Sequence, residues 1–236
     1  MKKEIVKVPK HLGLIIDGNG RWAKEKGLTR SMGHKAGASN VERIAKECFY
    51  KYGIEYVSIY CFSTENWNRP EKEVDYLRQI FKKWVDDGMD QKYPDVRINY
   101  MGDYGKFGKD IETKGKALME KTKNNKKFTL NLGINYGGQD EIVRAVNNII
   151  AEGITEVDKE IFENHLYTAG QPPMDLLIRT SGECRLSNFM LWQVAYAEMY
   201  FAKCHWPAFN KKCLKEALLD YQSRDRRFGA IKEEKE

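Results

Sequence analysis

No segment repeats at a fixed period, and no apolar run approaches the ~18 residues a bilayer-spanning helix requires, so solenoids, propellers and membrane-spanning bundles are set aside. Proline is scarce at 6 of 236 residues and no low-complexity stretch is present, which argues against a linker-like or disordered chain. The five cysteines are odd in number, widely spaced and without a C-x-x-C pair, which suits neither a disulfide framework nor a zinc site; they read as buried thiols. Met1-Lys2-Lys3 leads into the alternating Ile5-Val6-Lys7-Val8 and not into a signal-peptide apolar core, so a cytosolic protein is expected. Charge of one sign is also in short supply: 40 Lys and Arg against 34 Asp and Glu leave a net +6, far from the basic stripe of a nucleic-acid binder. That small excess fits anionic small molecules or an anionic membrane surface. What the chain does have is 42% hydrophobic and 12% aromatic residues, enough for one folded domain over residues 1–236.

The apolar run Leu12-Gly-Leu-Ile-Ile16 stops at Asp17-Gly-Asn-Gly20, as a buried strand entering a tight turn does. Val41, Ile44, Ala45, Cys48 and Phe49 fall on one helical face, with Gly53 in the position of a helix C-terminal glycine. The spacing predicts further strands over 56–62, 96–101, 128–134, 175–178 and 199–202. Helices are predicted around Val74 to Val85, 111–122, Ile142 to Ile150 and 211–225. Ile142, Val143, Val146, Ile149 and Ile150 line the third of these helices. Alternating strands and helices predict an α/β domain with six mostly parallel strands covered by helices on both faces. Ligands bind such sheets beyond the carboxyl ends of the strands, which singles out the loops 17–22, 63–70 and 180–187.

The first of these, Asp17-Gly-Asn-Gly-Arg-Trp-Ala23, has a G-x-G-x-x-A spacing suited to a close phosphate approach, yet Asp17 would repel an anion there. Two readings remain open: Asp17 and phosphate oxygens share a Mg2+ ion, or Asp17 caps a helix. Arg30 and Gly33-His34-Lys35 add phosphate donors downstream. The loop Ser63-Thr-Glu-Asn66-Trp67-Asn-Arg69-Pro70 mixes hydroxyl, amide, guanidinium and aromatic groups, though Trp67 also has a plain reading as a core anchor. Arg179, Arg185 and Ser187 form a second anion site, with Glu183 a competing partner for one arginine. Two anion sites and a carboxylate at one sheet edge imply two phosphorylated substrates.

These blocks together resemble the cis-prenyltransferases, the undecaprenyl diphosphate synthase family. The matching segments are His11 to Ala23, Gly33-His-Lys-Ala-Gly37, Phe62 to Pro70, Asn135-Tyr-Gly-Gly138, Asp175 to Trp192, Trp206-Pro207 and Arg226-Arg-Phe-Gly229, a core of about 11–229 with short charged tails. The resemblance implies a central parallel sheet with helices framing a hydrophobic tunnel. The implied reaction is Mg2+-dependent condensation of isopentenyl diphosphate with an allylic diphosphate, usually farnesyl diphosphate, forming Z double bonds and releasing pyrophosphate. By similarity Asp17 holds Mg2+ and, with Asn66, belongs to the catalytic set. Gly18, Asn19, Gly20, Arg21, Trp22, Arg30 and His34 surround the allylic diphosphate. Arg179, Arg185 and Ser187 take isopentenyl diphosphate, Glu198 assists the metal, and Ser63, Asn66, Trp67 and Arg69 belong to a closing loop. The family is homodimeric, and peripheral contact with the inner membrane face would serve product release.

The charges justify a divided site. At an effective dielectric of about 20, like unit charges ~6 Å apart repel by roughly 3 kcal/mol, and two diphosphates present several such pairs. One departure from the family pattern is Ile16 in place of Met, a volume-conserving swap. Another is Gln139 in place of Arg. Cys61 is expected at the tunnel wall, where side-chain bulk bears on product length. Alternatives are a short-chain or irregular-coupling synthase on the same scaffold, a non-catalytic subunit of a synthase, and a nucleotide-binding regulator.

Overall fold

Strand formation follows the β-branched and aromatic runs, and in the computed structural model, which describes residues 4–87 and 89–225, six strands form one sheet: β1 His11–Ile15, β2 Tyr56–Ser63, β3 Val96–Met101, β4 Phe128–Tyr136, β5 Leu176–Arg179 and β6 Glu198–Phe201. The order is β3-β4-β2-β1-β5-β6 and every pairing is parallel, so the expected mostly parallel sheet is wholly parallel among the described residues. All nine residues of β4 are buried, as a strand covered on both faces requires.

The helices are α1 Asn19–Glu25, α2 Arg30–Lys46, α3 Glu71–Asp86, α4 Met89–Lys92, α5 Lys109–Thr122, α6 Gly138–Ala151, α7 Lys159–Asn164 and α8 Lys211–Gln222. α2 continues as a π-helical turn over Glu47–Lys51, and the chain then turns through Gly53 at φ 67°. On α3, Val74, Leu77, Phe81 and Trp84 are buried as their spacing predicts.

Topology positions the site. From β1 the chain crosses to β2 on one side, whereas from β5 it crosses to β6 on the other. Right-handed crossovers in opposite directions run over opposite faces, the first with helices and the second as an irregular segment, which opens a crevice beyond the carboxyl ends of β1 and β5. In register, Ile15 lies beside Arg179 and Arg179 beside Phe201, so Asp17 projects just past that edge.

Three local expectations change, and α6 adds a feature the pattern left open. Residues 19–25 form α1 where a loop was read, because the helix starts directly after Gly18. The segment Thr64–Asn68 is a 3-10 helix. On α6 the apolar residues encircle the helix: Ala145 and Ile149 are buried, while Val143, Val146 and Ile150 are exposed on the opposite side. Finally, Cys48 is buried as expected, but Cys184 is exposed and Cys61, Cys204 and Cys213 are half-buried, all as free thiols. Arg226, Arg227, Phe228 and Gly229 lie outside the described residues.

Candidate active site

Asp17 sits two residues beyond β1, in a turn held from both sides. Its carbonyl accepts from Thr180 Oγ1 at 2.7 Å and from the Trp206 amide at 2.9 Å. The N-cap of α1 is Gly18, at φ 100°, and no side chain caps the helix, so the capping reading of Asp17 falls away. Its carboxylate instead faces two guanidinium groups: Arg179 Nη2 donates to Oδ2 at 3.1 Å, and Arg21 Nη2 lies 3.2 Å from the same oxygen. About a third of the Asp17 side chain remains exposed, at 32%.

Arg179 is almost wholly buried, yet its charge is distributed over fixed acceptors. Nη1 donates to the Arg185 carbonyl and to Ser187 Oγ at 2.8 Å. Nε is buried without a partner. Glu183 takes Arg21 at 2.7 Å and Arg185 at 2.5 Å, and those hydrogen bonds hold its carboxyl below the ordinary range. Of the two arginines expected here, Arg185 is therefore the one that pairs with Glu183, while Arg179 meets Asp17.

A second cluster surrounds Glu73, in the first turn of α3, which reading the sequence did not single out. Arg30 donates through Nε at 2.8 Å and Nη2 at 3.1 Å, His34 Nε2 lies at 2.9 Å, and Arg69 Nη1 donates at 3.1 Å. Burial alone would raise the Glu73 pKa, but the hydrogen bonds from Arg30 and His34 and the charge of Arg69 hold it at about 2. Burial lowers the His34 pKa, with the bond to Glu73 opposing and the charges of Arg69 and Arg30 adding to the drop. The available signal was positional: Glu73 stands four residues after Arg69, the spacing at which helical ion pairs meet.

Small residues let these groups converge. A Cβ on Gly33 would lie 2.1 Å from the Asn19 carbonyl oxygen, and one on Gly37 would lie 2.1 Å from Asn19 Oδ1, so the Gly33–Gly37 block is the seat of α1 on α2. Asn19 Oδ1 is buried without a hydrogen-bond partner. The 63–68 segment is closed on itself: Asn66 Oδ1 accepts from the Ser63 amide at 3.3 Å. Trp67 Nε1 donates to Asn135 Oδ1 at 2.8 Å, and its ring packs 4.8 Å from Phe107, so the anchoring reading of Trp67 applies.

Asp17, Asn19, His34, Ser63, Asn66, Arg69, Arg179 and Ser187 all border one cavity of about 180 Å³. Its deeper wall is apolar, formed by Val41, Cys61, Phe62, Leu77, Ile80, Phe81 and Trp84, which puts Cys61 where it was expected. Trp22 is half-buried and carries Lys26 over its ring at 5.4 Å, outside the residues that border the cavity. Glu198 is also apart. It opens β6 in register with Leu176, about 10 Å of strand rise short of the Arg179 level, and its carboxylate binds Arg224 at 2.9 Å. Within one chain it does not join Asp17, because strand register sends the two carboxylates to opposite ends of the sheet.

The donor set fits a hard divalent cation held jointly with substrate. Among the described residues no three His, Cys, Asp or Glu side chains cluster as a self-sufficient metal site. A single accessible carboxylate beside phosphate donors is how Mg2+ is ordinarily held when phosphate oxygens complete its shell.

Comparison with known proteins agrees with this geometry. A family model described as putative undecaprenyl diphosphate synthase matches residues 15–229. An isoprenyl transferase of Clostridium perfringens is 46% identical over 233 residues, spanning 96% of this chain and 92% of its own. A ditrans,polycis-undecaprenyl-diphosphate synthase ((2E,6E)-farnesyl-diphosphate specific) of Pasteurella multocida is 43% identical, spanning 96% and 97%. Among solved structures, lavandulyl diphosphate synthase from Lavandula x intermedia, in complex with dimethylallyl diphosphate, matches with a TM-score of 0.88 at 34% identity over 94% of this chain and 99% of that one. A probable undecaprenyl diphosphate synthase from Campylobacter jejuni gives 0.78 at 30% identity over 95% and 100%. The chain therefore belongs to the undecaprenyl diphosphate synthase family of prenyltransferases.

Proposed function

We propose that this prenyltransferase condenses isopentenyl diphosphate with an allylic diphosphate, farnesyl diphosphate by preference, in a Mg2+-dependent reaction that forms Z double bonds and yields a polyprenyl diphosphate. The observation that carries the reading is the meeting of Asp17 and Arg179 at the mouth of an apolar cavity. The farnesyl specificity is that of the Pasteurella multocida relative.

In this reading the allylic diphosphate lies among Gly18, Asn19, Gly20, Arg21, Arg30 and His34, with its prenyl tail in the cavity. Arg30, His34 and Arg69 are held ready on Glu73, so their donors are oriented before substrate arrives and little reorganisation is needed. Isopentenyl diphosphate takes the donors of Arg179, Arg185 and Ser187. Ser63 and Asn66, on the segment that Trp67 anchors, screen the reacting carbons from water, which protects a developing allylic cation. The nucleophile is the alkene of isopentenyl diphosphate, so no side-chain nucleophile is required. Mg2+, held by Asp17, would neutralise negative charge on the departing pyrophosphate.

Changing Asp17 to Ala is expected to cut incorporation of labelled isopentenyl diphosphate by about a thousandfold or more while circular dichroism and melting stay intact; retained turnover would remove Asp17 from the mechanism. A homodimer is part of the proposal, supported by the exposed apolar stripe of Val143, Val146 and Ile150 on α6. A cytosolic setting, with peripheral membrane contact at product release, is also proposed; among the described residues no helix is long and apolar enough to cross a membrane.

One observation favours a second reading, a product of few isoprene units: the cavity of about 180 Å³ is smaller than an ordinary small-ligand pocket, which starts at about 300 Å³. Chromatography of dephosphorylated products separates the two.

A further inference from the structure

One hydrogen-bonded chain beside the cavity is unused by the mechanism above. Ser181 Oγ lies 2.8 Å from His205 Nδ1, and His205 Nε2 lies 2.9 Å from Glu25 Oε1 at the end of α1. With the Nε2 proton given to the Glu25 carboxylate, Nδ1 accepts and the Ser181 hydroxyl donates. The chain joins three separate segments: α1, the loop after β5 and the loop after β6.

Its place on the backbone gives it consequence. A Cβ on Gly18 would lie 2.0 Å from Ser181 Oγ and 2.6 Å from His205 Nδ1, so the Ser181–His205 bond rests directly on the residue that follows Asp17. Gly18 holds φ 100° and Ser181 holds φ 78°, two left-handed residues facing each other. The left-handed region disfavours a side chain, so Ser181 needs outside support to stay there. The Ser181 amide donates to the Cys204 carbonyl at 2.8 Å and the Trp206 amide to the Asp17 carbonyl at 2.9 Å, which ties the same segments together through the backbone.

The fold does not depend on this imidazole. Trp206 and Phe209 anchor the segment in the core, and Asn40 Nδ2 donates to both of their carbonyls. Glu25, at the far end of the chain, is mostly exposed. Loss of the imidazole therefore leaves the segment docked and the Asp17 carbonyl held, but removes the side-chain support packed on Gly18.

We propose that His205 is a positioning residue which, through Ser181 and Glu25, fixes the Asp17–Gly18 turn and with it the seat of the allylic diphosphate. The inference rests on the allylic site assigned under Proposed function and adds to it a residue that acts without touching substrate.

Steady-state kinetics with farnesyl diphosphate and isopentenyl diphosphate, each varied at saturation of the other, test it alongside thermal melting. His205→Leu is expected to raise KM for farnesyl diphosphate about five- to tenfold. KM for isopentenyl diphosphate and kcat should stay within about twofold, and the melting temperature nearly unchanged. His205→Asn, whose Oδ1 takes the Nδ1 position toward Ser181, should restore KM, whereas His205→Gln, which reaches only toward Glu25, should not. An unchanged farnesyl diphosphate KM in His205→Leu, or a raised one that Asn does not rescue, overturns the proposal. Arg30→Ala run in parallel keeps the two levels apart. If it raises KM for farnesyl diphosphate while His205→Leu does not, the positioning role fails alone; if neither raises it, the allylic site assignment fails first.

Discussion

Two carboxylates on the same rim are treated oppositely. Asp17 keeps 32% of its side chain exposed and meets two guanidinium groups on one oxygen. Glu73 is 7% exposed and receives Arg30, His34 and Arg69 on its two oxygens. A carboxylate saturated by two guanidinium groups and an imidazole has little left to offer a metal, and its work is to hold those donors in place. A carboxylate with an open side can exchange its partners for a cation and phosphate. In the proposed reading the difference separates a carboxylate that positions donors beside the cavity from one that borders it and can take a metal.

Removing the cation that touches the open carboxylate tests that division most severely. Arg179→Ala should raise KM for isopentenyl diphosphate by about 10- to 100-fold, the value of a lost charge-assisted bond, with a smaller change for the allylic substrate. An unchanged Michaelis constant would mean that Arg179 serves Asp17 alone. Next in size is Glu73→Gln, which keeps the shape and deletes the charge. It should raise KM for the allylic diphosphate about tenfold, as Arg30 and His34 lose their common acceptor, and lower the melting temperature by a few degrees. A Gln variant with native kinetics would leave Glu73 a structural ion pair and nothing more.

The smallest effect concerns acid. Burial lowers the pKa of both His11 and His34, against partial opposition from the Pro172 carbonyl and Asp175 in one case and from Glu73 in the other. Below the ordinary value of about 6.5 the unfolded chain binds protons that the folded chain refuses. The stability present above that pH is therefore lost as pH falls toward the lowered folded values. Melting temperature should drop by about 2–6 °C between pH 7 and 5.5, and His34→Gln, which does not titrate, should flatten the slope; a flat wild-type profile would contradict the assignment.

Much of this was readable beforehand. Strand positions followed from short apolar runs that end in Gly- or Ser-rich turns, and they came within one or two residues at every edge, since period and turn chemistry are local. The three loops at the carboxyl ends were legible because alternating elements force a parallel sheet. Glu73 was not legible: a Glu in the first turn of a helix looks like any solvated charge until Arg30 and His34 arrive from another helix. The outward face of α6 was not legible for a related reason. When apolar residues encircle a helix, periodicity no longer says which side meets the core, and packing against α7, Leu166 and Trp192 decides.

The sequence by itself determined the family, the parallel α/β architecture and the chemical types gathered at one rim, because these depend on local patterning and on blocks that match residue by residue. The tertiary structure alone decided which charges meet. It freed Asp17 from a capping role, paired Glu183 with Arg21 and Arg185, sent Glu198 to Arg224 at the other end of β6, and laid His205 across Gly18. A charge carries no address along the chain; its partner is chosen by strand register and close helix approach, and those are set only when the whole core packs.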